Sequence, residues 1–259
     1  PCRSRSRAEA SQSQLQKQGL LRLELLDLDL ADLNSVEAAA TAVGQRYGRL
    51  DLLLNNAGVM APPRTLTAQG HELQFGVNHL GHMALTQRLL PLMEGQPDPR
   101  VVTVTSGAQY FGRIRWKDPS WSSDYDRYGA YGQSKLANVM FALELEAQLR
   151  QRNSNVRSLA AHPGIARTEL QPTALANGGN RAEALAYRLM DPLFQSAAMG
   201  ALPQLHAATA ASAQGGEHYG PGGWGGLRGY PALCRLAPAA LDPEQRQRLW
   251  ALSEELIGA

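Results

Sequence analysis

Short apolar runs alternate along this chain with segments whose apolar residues recur at helical spacing, the pattern of a parallel sheet covered by helices on both faces. Residues 20–28 predict a strand, and Asn34 is placed to cap a helix whose Val36, Ala40, Val43 and Tyr47 form one stripe. Residues 50–54 predict the next strand, which runs into Asn55-Asn56-Ala57-Gly58. A helix-period region follows over 68–93, with a break near Gly76 or Gly81. The β-branched run at 100–105 predicts another strand. Beyond an irregular span, 106–129, comes a helix with Leu136, Val139, Met140, Leu143 and Ala147 on one face, and then a strand over 156–161.

The last third changes character. Residues 168–180 read as loop, and 181–190 and 196–211 as helices. The eight glycines within 215–229 lack a Lys-Ser/Thr ending and a following helix, so they suggest a loop around a short strand at 217–219 rather than a phosphate loop. With no internal repeat and no linker, residues 1–259 read as a single domain, with 169–233 as a substrate loop and lid region within it.

Composition narrows the partners. Hydrophobic residues make up 44% of the chain and charged residues 19%, and 25 basic side chains nearly balance 23 acidic ones, too even for a nucleic-acid footprint. No apolar run is long enough for a membrane segment and no leader opens the chain, which suggests a cytoplasmic protein acting on a small molecule. Cys2 and Cys234 have no metal-ligand spacing and read as free thiols. His79, His82 and His162 read as structural and lack zinc spacing, so no metal is expected.

Tyr131 and Lys135 stand four apart at the start of the long helix, where a phenol and an ammonium share one face. On any helix the same spacing arises by chance. Here, however, Ser106 ends one predicted strand, Asn56-Ala57-Gly58 ends another, and His162-Pro163-Gly164 ends a third. Such strand ends line the ligand crevice of an open α/β sheet. Tyr128 lacks a lysine four residues on, and Ser134 lies on the helix rather than at a strand end, so both are weaker candidates. Trp116, Trp121, Tyr125 and Tyr128 either wall an apolar pocket or pack a surface excursion.

Asn-Asn-Ala-Gly, the strand ending in Ser106, Y-x-x-x-K and Pro163-Gly164, in this order, resemble the short-chain dehydrogenase/reductase family. N-N-A-G-V-M-A-P-P, F-G-V-N-H-L-G-H and A-Y-G-Q-S-K-L-A-N resemble its retinol-dehydrogenase-like branch. The resemblance implies a Rossmann-like doubly wound parallel sheet and a hydride transfer between NADP(H), or NAD, and an alcohol, aldehyde or ketone of apolar character. It implies Tyr131 as general acid or base, Lys135 lowering its pKa and binding the cofactor ribose, Ser106 holding the substrate oxygen, and Asn78 anchoring a relay water. Asp29 and Leu30 resemble the adenine-binding pair, and Arg3 the contact to a 2′-phosphate. Asn56, Ala57 and Gly58 would follow the cofactor's ribose side, with Pro163, Gly164, Ile165 and Thr168 near its carboxamide. A homodimer or homotetramer is also implied, with the helix after Tyr131 as its interface.

One departure stands out: no T-G-x-x-x-G-x-G occurs, and the chain opens where the family's second strand ends. The N-terminal β-α-β portion that cradles the pyrophosphate is therefore expected to be missing, as in a truncated chain, which would leave the sheet short of strands. A catalytically silent nucleotide-binding or interaction protein is the alternative; epimerase or dehydratase chemistry would need a larger C-terminal region.

Overall fold

The computed structural model describes residues 4–19, 22–167, 183 and 194–258. In chain order its elements are α1 (Arg5–Lys17), α2 (Leu33–Arg46), β1 (Leu52–Asn55), α3 (Leu73–Phe75), α4 (Gly81–Leu89), β2 (Arg100–Val104), α5 (Arg127–Gln151), β3 (Arg157–Ala161), α6 (Ala197–Thr209), β4 (His218–Gly223), β5 (Arg228–Leu233) and α7 (Pro243–Ile257). The five strands form one sheet in the order β1-β2-β3-β4-β5. The first four are parallel and β5 returns antiparallel to β4, so the parallel sheet expected from the sequence carries an antiparallel edge.

Strand β2 shows how both faces are covered. Val101 and Val102 are fully buried, and successive side chains on a strand point to opposite faces. Val101 joins the cluster built with Leu136, Met140 and Leu249, whereas Val102 joins Leu159, Ala161 and Ala207 on the α6 side. Helices thus pack on each face, the doubly wound arrangement.

Several local expectations change. Residues 22–29 form no strand beyond one isolated bridge residue at Asp27, and residues 20 and 21 lie outside the described set. A strand needs a ladder partner, and β1's outer edge has none among the described residues: Leu52 and Leu54 are 37% and 40% exposed. Leu28 and Leu30 are instead buried in the cluster with α2 and α4. Helix α2 is capped by Asp32 rather than Asn34, whose backbone N–H donates to the Asp32 carboxylate at 3.0 Å.

The break expected near Gly76 or Gly81 falls at both. A π-helical turn, Gly76–Leu80, separates α3 from α4. Gly81 permits a close approach there, since a Cβ would lie 2.6 Å from the Leu30 carbonyl oxygen.

Helix α7, not foreseen, lies across α4 and α5. Trp250 stacks on Phe141 with ring centroids 5.7 Å apart, Arg246 pairs with Glu144 at 3.7 Å, and His79 bonds Ser253 at 2.8 Å. Within the single chain every residue of α5 from Ala130 to Ala142 is buried.

Candidate active site

Ser106 follows the end of β2 and caps a 3-10 turn, its hydroxyl accepting from the Ala108 N–H at 3.3 Å. Helix α5, capped by Asp126, runs past this strand end and presents Tyr131 and Lys135. Both side chains are buried, at 8% and 4% exposure, and the Ser106 hydroxyl is near enough to the Tyr131 phenol to lower its pKa. Lys135 Nζ donates to the Val104 carbonyl at 3.2 Å and lies 5.8 Å from the Tyr131 ring centroid. Serine, phenol and ammonium therefore meet at the end of one central strand.

Burial dominates the electrostatics. It pushes the Lys135 ammonium down to about 8 and raises the Tyr131 phenol above its ordinary value, a rise that the neighbouring Ser106 hydroxyl opposes.

Asn78 sits in the π turn, fully buried. Its Oδ1 accepts from the Val59 N–H at 2.8 Å, and its Nδ2 donates to the Val59 carbonyl and to Ser134 Oγ, both at 2.9 Å. The amide thus staples the loop after β1 to α5. Ser134 passes the link on by donating to the Tyr131 carbonyl at 2.8 Å, which makes it a structural serine. Gly58 lies against the same group: a Cβ there would come within 3.0 Å of Asn78 Oδ1 and 3.5 Å of Lys135 Nζ.

At the third strand end, Gly164 adopts φ +64°, where a side chain would meet the Leu227 carbonyl oxygen at 2.4 Å. Ile165 N–H donates to that carbonyl at 2.8 Å, and Gln195 Nε2 donates to the Pro163 carbonyl at 2.8 Å. Asn56 and Ala57 are exposed on the loop after β1. Asp29 accepts from the Ala31 N–H at 3.0 Å, and Leu30 packs on Gly81, three residues from Asn78. Arg3 and Thr168 lie outside the described residues.

Two organisers escaped sequence reasoning. Glu72, fully buried, caps α3 by accepting from the Gln74 and Phe75 N–H groups at 2.9 and 2.8 Å, and so fixes the entry to the π turn. Gln195 ties three backbone segments around Pro163-Gly164. Both act through bonds to distant residues, which no local pattern encodes. The histidines are structural as expected: His82 bonds the Asn78 carbonyl at 3.0 Å, and burial pushes His79 and His82 down to about 3 and about 4. The aromatic span before α5 ties down an excursion: Trp116 stacks under Arg248 and Tyr125 donates to Glu72. A cleft of about 480 Å³ between Phe111, Trp121 and Tyr128 does not include Ser106 or Tyr131. Among the described residues no cluster of metal-ligating side chains occurs.

A mostly parallel, doubly wound sheet with a crevice at its strand ends is the architecture of a Rossmann-like dinucleotide-dependent enzyme. The family model for short chain dehydrogenases matches residues 2–177, and the chain belongs to that family, in its retinol-dehydrogenase-like branch. Mouse retinol dehydrogenase 14 is 34% identical over 278 residues, covering 99% of this chain and 77% of its own. Human retinol dehydrogenase 12 is 38% identical over 236 residues, covering 89% and 68%. The crystal structure of an uncharacterised protein from Mycobacterium paratuberculosis superimposes with a TM-score of 0.71 at 37% identity, covering 92% of this chain and 76% of that one. The protein is accordingly an NAD(P)-dependent oxidoreductase acting on CH–OH or C=O groups. Among the described residues no helix is long and apolar enough to cross a membrane.

Proposed function

We propose that the enzyme interconverts an apolar alcohol and its aldehyde or ketone with NADP(H), using Tyr131 as the proton donor or acceptor at the substrate oxygen. The observation that carries this is the meeting of Ser106 and Tyr131 at the end of β2, near enough for the serine to lower the pKa of the phenol, with Lys135 buried one helical turn beyond. Ser106 holds the substrate oxygen beside the phenol, and Tyr131 exchanges its proton with that oxygen. Proton transfer of this kind contributes about 10²- to 10⁴-fold.

The residues present fit the ribose side of a nicotinamide cofactor. Lys135 offers a buried ammonium that donates to the Val104 carbonyl, and Gly58 leaves open the space beside it that a Cβ would fill. The bound nicotinamide supplies the hydride chemistry. Asn56, Ala57, Pro163, Gly164, Ile165 and Thr168 are assigned to the same side, Asp29 and Leu30 to the adenine, all on the resemblance. Asn78 serves as a positioning residue. The preference for NADP rests on Arg3, whose forked guanidinium suits a phosphate. The names of the retinol dehydrogenase relatives support a long apolar primary alcohol as substrate.

The test is NADPH consumption with a panel of aldehydes and ketones, retinal included, comparing the protein with Tyr131→Phe. A variant that keeps full activity on every accepted substrate sinks the mechanism. Arg3→Ala should weaken NADPH far more than NADH, and equal losses count against the phosphate contact.

A further inference from the structure

Ser106 opens a short 3-10 turn, Gly107–Tyr110, whose kind of hydrogen bond has poor geometry and whose first residue is a glycine. Such a turn does not by itself keep a hydroxyl aimed at one point. Its last two residues brace it from outside. Gln109 is fully buried, with its Oε1 accepting from the Ala237 N–H at 3.3 Å and its Nε2 lying 3.4 Å from Nε2 of His218, a buried residue on β4. Tyr110 donates its hydroxyl to the Arg235 carbonyl at 2.7 Å.

The roles in this network determine one another. His218 Nδ1 lies 3.0 Å from the same Arg235 carbonyl, and a carbonyl can only accept, so Nδ1 carries the proton. Burial keeps the ring neutral by pushing it down to about 4, and a neutral imidazole then turns a bare Nε2 toward Gln109. Gln109 must present its NH₂ group to His218 and its oxygen to Ala237, which is the orientation in the structure. Turning the amide over, or moving the ring proton, would set donor against donor and acceptor against acceptor. A buried network with every role assigned holds one arrangement only.

We propose that His218 and Gln109 are positioning residues for the reaction: they tie the turn after β2 to the segment between β5 and α7 and so keep the Ser106 hydroxyl beside Tyr131. Neither touches the reacting atoms; both act through Ser106, whose catalytic role is the one given under Proposed function.

Kinetics of His218→Phe and Gln109→Met test this. The phenylalanine keeps a ring against His162, whose centroid lies 5.1 Å from that of His218, and removes the bond to Gln109. Each variant should lower kcat roughly ten- to a hundredfold, the loss that a misplacement of about 1 Å produces, with the cofactor KM unchanged. The pH limb reporting Tyr131 in alcohol oxidation should move to higher pH, as in Ser106→Ala, and in a Ser106→Ala background neither change should lower kcat further. His218→Gln sets an acceptor oxygen near the place of Nε2 and should recover most of the activity, whereas His218→Asn, which replaces Nδ1 alone, should not. A loss undiminished in the Ser106→Ala background, or equal activity of the Gln and Asn variants, overturns the proposal. Two measurements need no catalysis. Nitrogen NMR of the unmodified protein at pH 7 should find the His218 proton on Nδ1, and a proton on Nε2 overturns the proposal. Amide exchange at Gln109 and Gly112, which bond back to Ser106 and Ala108, should speed up in His218→Phe, and unchanged exchange overturns it too. Full activity of Ser106→Ala would instead fault the role given to Ser106, with the tautomer and the exchange still deciding whether His218 holds the turn.

Discussion

Lys135→Met should make the free protein more stable while abolishing its activity. The Lys135 ammonium is almost wholly buried, and burial pushes its pKa from 10.5 down to about 8. At about 1.36 kcal/mol per unit, that displacement of about 2.5 units corresponds to about 3 kcal/mol of folding free energy lost below pH 8. Methionine keeps the apolar stem and removes the charge. It also orphans no acceptor, because the Val104 carbonyl still receives Asn138 Nδ2 at 3.0 Å. Between pH 8 and 10.5 the unfolded chain binds more protons at this site than the folded one, so wild-type stability rises with pH across that window. Urea denaturation without cofactor should therefore show the variant ahead by about 1–3 kcal/mol at pH 7, with the gap closing toward pH 10. A variant less stable than wild type at pH 7, or a gap unchanged between pH 7 and 10, would refute the claim that an uncompensated buried charge sits at this position.

Three further perturbations probe the groups around it. Ser106→Ala removes the hydroxyl that opposes the rise in the Tyr131 pKa, so the pH limb reporting Tyr131 in alcohol oxidation should move to higher pH while kcat falls; a limb that stays in place separates Ser106 from Tyr131. Gly58→Ala puts a Cβ 3.0 Å from Asn78 Oδ1 and 3.5 Å from Lys135 Nζ, and should raise the cofactor KM roughly tenfold, about 1.4 kcal/mol, with little change in melting temperature. Asn78→Leu strands the Val59 N–H and C=O and should lower stability by about 2–4 kcal/mol in urea denaturation, more than a surface polar-to-apolar change.

What the sequence disclosed follows the range of the interactions involved. The strand at Arg100–Val104 and the pair Tyr131 and Lys135 were legible because alternation, β-branching and helical spacing act within a few residues. The strand expected at 20–28 failed because a strand is a relation between two segments, and β1 offers no partner beside its outer edge among the described residues. Strand β5 was hidden by Gly229 and Pro231, which read as turn residues but are tolerated on an antiparallel edge. Helix α7 carried a usable signal, Asp242 before Pro243 with Leu249, Ser253 and Ile257 buried at four-residue spacing, yet its polar surroundings masked it. The Asp32 cap shows the finer limit: two good capping residues stand two positions apart, and only the backbone decides between them.

Burial acts on Tyr131 and Lys135 in opposite chemical senses and to one end. It raises the acid and lowers the base, so it favours the neutral form of both. A neutral phenol is already in the state that gives a proton to a carbonyl oxygen, whereas alcohol oxidation first requires the phenol to give its proton up. Burial thus works against loss of the Tyr131 proton in the free protein, and the neighbouring Ser106 hydroxyl is the group that counters it. Lys135 Nζ lies 5.8 Å from the ring centroid and donates to the Val104 carbonyl, so its place suits holding a ligand better than bonding the phenol directly.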